Sequence, residues 1–157
     1  MTSTPEPAGP PQAFDVEALF DAAVEDIVRT ADPQACAALV DTLVERGALW
    51  EGMLLMLGPT ASRRVFGLGE EQAVKKLAAL ADTPDKVTAL TYRLWEQFRS
   101  RGSAAARDVW DAAPAELHRG TALQLLVVYA AAIGADAGRL GPREVVRLTR
   151  ALVPVTW

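Results

Sequence analysis

Apolar residues recur at helical spacing along most of the 157-residue chain. Between residues 14 and 30 they follow the i, i+3, i+4, i+7 spacing of one helix face. The residues on this face are Val16, Leu19, Phe20, Ala23, Val24 and Ile27. Residues 121–133 are instead apolar nearly all round, which predicts a central, buried helix. No segment shows the alternation of a strand, so the pattern predicts an all-α fold.

Capping and helix-breaking residues divide the chain into about seven predicted helices. Helix starts or caps are predicted at Asp32-Pro33, Thr83-Pro84 and Ser103, and helix ends at Gly47, at Gly58-Pro59 and near Gly102. The remaining predicted elements are a helix over 70–81, a short helical turn from Pro114 to Gly120, and a last helix from Gly141-Pro142 to Val153. Connections this short favour antiparallel or sharply angled neighbours. The chain is therefore predicted to form a compact single-domain bundle over residues 14–157. Residues 1–13 are rich in proline and are predicted to form a disordered tail.

Charge and cysteine content narrow the classes of function. The net charge is −4 and the isoelectric point is about 5.0, which argues against nucleic acid as a partner because such binders usually carry a basic footprint. Cys36 is the single cysteine, so neither an internal disulfide nor a cysteine metal cluster can form. The longest apolar run, Ala122 to Ala135, is too short for a transmembrane segment. The N-terminus also lacks a signal-peptide pattern, so we expect a cytoplasmic protein.

The chain offers few residues for self-contained catalysis. His118 is the only histidine and Cys36 the only thiol, and no local motif activates either. We expect Cys36 to be an inert buried thiol and His118 to lie in the last turn of a short helix. Asp21 and Glu25 lack the Glu-x-x-His spacing of bundle metal sites. No cofactor or metal is therefore expected, and an enzyme that uses carboxylates or tyrosine remains a minor alternative.

Two motifs between residues 62 and 71 have weak functional interpretations. Gly67-Leu68-Gly69 lacks the third glycine, lysine and hydroxyl of a phosphate loop, and a turn explains it better. Residues 62–71 faintly suggest a helix-turn-helix, but Glu70 and Glu71 would face the phosphates and be repelled. Arg63-Arg64 remains a possible contact for an anion or an acidic partner.

Two stripes of opposite charge give the leading functional hypothesis. Arg143, Arg147 and Arg150 recur at i, i+4, i+7, with Arg139 just upstream, and form a basic stripe on the last helix beside an apolar face. The first helix carries an acidic stripe, and its members are Glu17, Asp21 and Glu25. The pattern is compatible with solvated faces, and equally with stripes that meet within one molecule, between two copies, or across a complex with another protein. We therefore predict a non-enzymatic interaction module: an adaptor, assembly or regulatory protein that acts through helix surfaces.

The aromatic residues support an alternative hypothesis. A helical bundle can hold a small apolar ligand between its helices, which would make the protein a small-molecule-binding regulator. The candidate lining residues are Trp50, Met53, Met56, Trp95 and Tyr129. Core packing is the simpler interpretation of Trp50 and Trp95. Trp157, the final residue, is expected either to fold back on the bundle or to anchor a partner.

Overall fold

The computed structural model describes residues 15–61 and 84–152, together with residues 72, 75 and 82. Over residues 15–61 and 84–152 it contains seven α-helices, two 3₁₀ turns and no strand, which confirms the predicted all-α bundle. The helices are α1 (Val16–Thr30), α2 (Pro33–Glu45), α3 (Leu49–Ala61), α4 (Lys86–Arg101), α5 (Ser103–Ala112), α6 (His118–Asp136) and α7 (Pro142–Thr149). The 3₁₀ turns are Ala115–Leu117, before α6, and Arg150–Leu152, after α7.

Aspartate side chains cap three of the helices. Asp15 accepts a hydrogen bond from the backbone N–H of Ala18 at 3.0 Å, and Asp32 accepts one from Gln34 at 2.9 Å. The prediction that Asp32 and Pro33 start α2 is therefore confirmed. Each cap satisfies a backbone donor that has no partner within the helix, which fixes where the helix begins.

Helix α6 forms the centre of the bundle. It packs against α1, α2, α3, α4 and α7, and its buried positions occur on nearly every side. The buried residues are Thr121, Ala122, Leu123, Leu125, Leu126, Val127, Ala130 and Gly134. A helix that is apolar all round has to be surrounded by other elements, so the prediction of a central helix over 121–133 is confirmed.

A close contact at Gly134 fixes the connection from α6 to α7. A Cβ atom placed on Gly134 would lie 2.2 Å from Cδ1 and 2.4 Å from Cγ of Leu140. Leu140 is buried, and its backbone N–H and that of Arg139 both donate to the Gly134 carbonyl. Only glycine at position 134 leaves room for the Leu140 side chain. This contact sets the direction in which α7 runs back across the bundle.

The predicted end of the third helix at Gly58-Pro59 is wrong, because α3 continues to Ala61. Gly58 has no Cβ, which removes part of the clash that usually drives the residue before a proline out of the helical region. Contacts from α4 also hold the last turn: Trp95 Nε1 donates to Thr60 Oγ1 at 2.9 Å, and Arg99 donates to the Ala61 carbonyl. Tertiary hydrogen bonds therefore outweigh the local helix-breaking signal.

Two predicted caps are displaced, one from Thr83-Pro84 to Asp85 and the other from Ser103 to Gly102. The cap of α4 is Asp85, which accepts from Val87 N at 3.2 Å and from Thr88 Oγ1 at 2.7 Å, so Pro84 lies before the cap. Ser103 is the first residue of α5, and the cap position belongs to Gly102 at φ +91°. Gly102 also ends α4, so one glycine makes the whole connection between the two helices.

The predicted end of the short helix at His118 to Gly120 is wrong. His118 is the first residue of α6, and the chain passes through Gly120 without a break. A Cβ on Gly120 would lie 3.1 Å from Val87 Cγ2, so this glycine permits close packing of α4 on α6 and does not stop the helix. The last helix also differs from its prediction: α7 ends at Thr149, and a 3₁₀ turn follows to Leu152.

Several predicted features lie outside the described residues. They are the tail over 1–13, the motifs over 62–71, and the end of the chain, including Val153 and Trp157. Within the helix predicted over 70–81, Gln72 and Lys75 are helical and exposed.

Candidate functional site

Helix α7 is held to the bundle by one apolar face. Leu148 is fully buried, and Val145 and Leu152 pack on the core beside it. Together with the following 3₁₀ turn, α7 contacts α2 and α6. Because this face is fixed against the bundle, the orientation of the opposite face is fixed as well.

The opposite face of α7 is basic and exposed. We call Arg143, Val146, Arg147 and Arg150 the α7 patch; its side chains line a shallow recess of about 430 Å³. All four are exposed, and Val146, at 63%, is the most exposed large apolar side chain of the described part of the chain. None of the three arginines makes an ion pair with a described residue. The patch therefore presents an apolar side chain among three guanidinium groups.

The acidic residue nearest to the patch in sequence is Glu144, and it turns towards the start of its own helix. Its carboxylate Oε2 lies 2.9 Å from the position that a Cβ on Gly141 would occupy. A carboxylate in this first turn is stabilised by the positive end of the helix dipole. Glu144 forms no ion pair with a described residue, so it neutralises none of the three arginines.

The basic and acidic stripes meet within one molecule at a single pair. Arg139 Nη1 donates to Glu25 Oε2 at 2.9 Å, and Arg139 Nη2 lies 2.8 Å from Glu25 Oε1. This bidentate contact lowers the pKa of Glu25 below its ordinary value. The hydrogen bond from Arg139 is the larger cause, and the positive charge of Arg139 is the next. Arg139 and Glu25 thus form an intramolecular contact, and the remaining members of the two stripes do not share it.

The rest of the acidic stripe lies on the exposed face of α1. Glu17 and Asp21 are exposed, and neither forms an ion pair with a described residue. Burial, and secondly the negative charge of Asp21, raise the pKa of Tyr129. Tyr129 itself is half-buried and packs on Phe20, with ring centroids 5.4 Å apart.

The residues of the predicted ligand pocket lie in different environments. Met53 and Met56 are fully buried in the core. Trp95 is half-buried and donates to Thr60, which lines a small recess of about 130 Å³ together with Tyr129. Trp50 is half-buried and packs on Trp110 at a centroid distance of 5.8 Å. A binding role for these five residues stays a prediction.

Trp50 belongs to an aromatic cluster that the sequence did not indicate. His118 stacks on Trp110 with ring centroids 3.9 Å apart and an interplanar angle of 10°. His118 Nε2 also donates to the backbone carbonyl of Trp110 at 2.8 Å, since a carbonyl oxygen can only accept. The guanidinium carbon of Arg107 lies 5.2 Å from the centroid of the Trp50 ring, and Arg107 Nε donates a hydrogen bond to Asp111, which completes the cluster. These contacts join the end of α5 to the start of α6 and give His118 a structural role.

Cys36 is fully buried in α2. Burial, and secondly the charge of Asp32, raise the pKa of its thiol to about 12, so the thiol stays protonated at neutral pH. The structure thus confirms the expected burial of this residue. Among the described residues, no group of three or more His, Cys, Asp or Glu side chains is placed to hold a metal ion.

A further recess, which the sequence pattern did not predict, lies between α4, α5 and the first 3₁₀ turn. We call it the α4–α5 recess; its volume is about 500 Å³. Its charged lining residues are Lys86 and Arg93 from α4 and Asp108 from α5. The i, i+3, i+4, i+7 spacing of Lys86, Ala89, Leu90 and Arg93 places them on one helix face. This spacing was a usable signal, but which element faces these residues depends on the tertiary fold.

No helix among the described residues has the length and apolar content needed to cross a bilayer. No protein-family model, curated protein or solved structure matches the chain.

Proposed function

We propose that the protein is a non-enzymatic interaction module and that the α7 patch binds an acidic, partly apolar segment of another protein. The observation that carries the proposal is the exposed Val146 surrounded by the unneutralised Arg143, Arg147 and Arg150. An apolar anchor ringed by polar groups is a common arrangement at protein interfaces, where arginine is enriched. Adaptor, assembly or regulatory activity, and a cytoplasmic location, belong to this proposal.

The charge of the patch specifies an acidic partner. Arg143 and Arg150 are seven residues apart, so the backbone positions of the three arginines extend over about 10 Å along α7 and the start of the 3₁₀ turn. The chain as a whole carries a net charge of −4, so these cations form a local patch on an acidic protein. Guanidinium groups bind carboxylates through paired hydrogen bonds, which favours Asp and Glu side chains in the bound segment.

The size of the patch favours a peptide segment over a second copy of the chain. A stable dimer usually buries about 800 Å² on each partner, contributed by 20–30 residues. The α7 patch comprises four side chains, three from α7 and Arg150 from the 3₁₀ turn that follows it. Two copies that each carry a charge of −4 also repel at long range. A short acidic segment fits the patch without either difficulty.

The test is a fluorescence-anisotropy titration of the protein against a fluorescein-labelled peptide in which glutamates alternate with leucines. We expect saturable binding that weakens as salt is added, because salt screens exposed charges. The double charge reversal Arg143→Glu with Arg147→Glu should weaken binding by at least about tenfold, or about 1.4 kcal/mol. Thermal unfolding of this variant should match the wild type, since both positions are exposed.

The control reverses two exposed arginines elsewhere, Arg29→Glu with Arg101→Glu, which changes the net charge by the same amount. Because Arg29 pairs with Asp26, thermal unfolding of this control is measured first and has to match the wild type. This control should bind the peptide as the wild type does, and a peptide with lysine in place of glutamate should not bind. Equal losses in both double variants, or no binding by the wild type, would reject the α7 patch as the contact surface. A wild-type dimer in sedimentation velocity that the Arg143/Arg147 reversal abolishes would replace the peptide proposal with self-association.

A further inference from the structure

The α4–α5 recess contains three charged side chains that none of the described residues neutralises. Lys86, Arg93 and Asp108 line it, and none of them forms an ion pair or a side-chain hydrogen bond with a described residue. We propose that this recess binds a small amphipathic organic anion, with an apolar body and a single carboxylate. The site is separate from the α7 patch and shares no residue with it.

The shape of the recess follows from small side chains at the open end of a helical hairpin. Its walls are the first half of α4 and the second half of α5, which lie far from the connection at Gly102. Ala89 and Ala112 contribute only methyl groups to these walls, while Val109 and Leu117 supply larger apolar surfaces. Short side chains between two helices leave a space that the backbone cannot close. The result is a recess with a concave apolar surface and a volume of about 500 Å³, which is within the usual range for small-molecule sites.

The charges around this apolar surface select the ligand. Among the described lining residues, two cations and one carboxylate give a net charge of +1. Lys86 and Arg93 are seven residues apart on one face of α4, so an apolar surface about 10 Å long separates their backbone positions. A ligand can therefore lay its body along this surface and pair its carboxylate with one of the two cations. Asp108 is six residues from the connection at Gly102, whereas Arg93 is nine and Lys86 sixteen residues from it, so Asp108 lies nearer the Arg93 end of this surface. Its carboxylate repels a second negative charge at that end, which disfavours dicarboxylates and phosphate esters.

The direct test is calorimetric titration of the full chain with decanoate, with decanol as the uncharged analogue and sebacate, a ten-carbon dicarboxylate, as the dianionic analogue. We expect decanoate to bind at one site, and decanol and sebacate each to bind at least about tenfold more weakly, because decanol lacks the charge and sebacate carries a second carboxylate at the other end of the chain. Equal affinity for decanoate and decanol would overturn the proposal, since no charge would then be recognised. Failure of decanoate to bind within its solubility would overturn it as well.

Variants of the lining residues locate the site. Arg93→Gln and Lys86→Gln remove one cation each, and at least one of them should weaken decanoate binding by about tenfold. Asp108→Asn should strengthen decanoate binding and reduce the discrimination against sebacate, because it removes the repulsive charge. A purely structural role for Asp108 would not produce this opposite sign.

A steric pair of variants provides a second, independent test. Ala112→Phe places a large side chain at an exposed position of the recess lining, and it should abolish binding. Ala104→Phe makes the same change at an exposed position of α5 outside the described lining and should leave binding intact. If both variants bind decanoate equally, the ligand lies elsewhere and the proposal fails. The double reversal at Arg143 and Arg147 should not affect decanoate, so failure of this proposal and failure of the α7 proposal can be told apart.

Discussion

The α7 patch and the α4–α5 recess use similar residues in different shapes. Each sets cationic side chains beside apolar ones on the face of a single helix. On α7 the apolar residue is the highly exposed Val146 in a shallow recess, and the face has no described helix opposite it. In the recess the cations flank an apolar surface that α5 and a 3₁₀ turn enclose from the other side.

This comparison shows why a sequence stripe does not define a ligand. A protruding basic helix face offers contacts along a line, which a polymer segment can follow with several carboxylates. A concave apolar surface with cations at its ends encloses a small molecule and can neutralise one charge. The difference lies in what faces the helix, and the amino-acid spacing is nearly the same in both.

The largest expected effect comes from removing the buried anchor of α7. Leu148→Ala deletes a fully buried side chain and should lower the free energy of unfolding by about 2–5 kcal/mol in urea denaturation. Val146→Ala, two residues away on the exposed face, should change it by less than about 0.5 kcal/mol. Similar costs at the two positions would contradict the assignment of buried and exposed faces on α7.

A smaller effect is expected at the contact that aims α7. Gly134→Ala forces a methyl group against Leu140 and should destabilise the protein by about 1–3 kcal/mol, although alanine is the better helix former. In a Leu140→Ala background the same substitution should cost less, because the opposing side chain is gone. Additive costs in this double-mutant cycle would show that the two residues do not compete for space.

The smallest effect is expected at the pair of Glu25 and Arg139. Arg139→Gln should raise the pKa of the Glu25 carboxyl towards its ordinary value, which an NMR pH titration of the side chain would record. Because the folded-state pKa is lowered in the wild type, the contribution of this pair to stability is present above the ordinary carboxyl pKa and is lost as the pH falls through the lowered one. An unchanged Glu25 titration in the variant would show that the two side chains do not pair in solution.

Much of the fold could be predicted from local signals. The apolar periodicity placed α1, and the Asp32-Pro33 cap placed the start of α2, because both signals act within one helical turn. The interpretation of Pro59 and Gly120 as helix breakers failed for a common reason. At both positions a neighbouring helix compensates: α4 holds the last turn of α3, and close packing on Val87 makes use of the missing side chain of Gly120.

The candidate sites were predictable only in part. The stripe of Arg143, Arg147 and Arg150 was visible because all three lie on one exposed helix face. The pairing of Arg139 with Glu25 could not be predicted from the pattern, since the two residues are 114 positions apart in sequence. The α4–α5 recess was missed because its charged residues come from two helices whose relative placement the sequence pattern does not specify.

The central claim, that α7 presents the contact surface for an acidic segment, can be tested most directly by NMR chemical-shift mapping. The ¹⁵N-labelled protein would be titrated with the unlabelled glutamate–leucine peptide, and backbone amide shifts would be followed along the chain. The account predicts that the largest shift changes cluster at residues 142–150, with little change in the amides of Lys86, Arg93 and Asp108. Shift changes centred on α4 and α5, or none at residues 142–150 under saturating peptide, would contradict it.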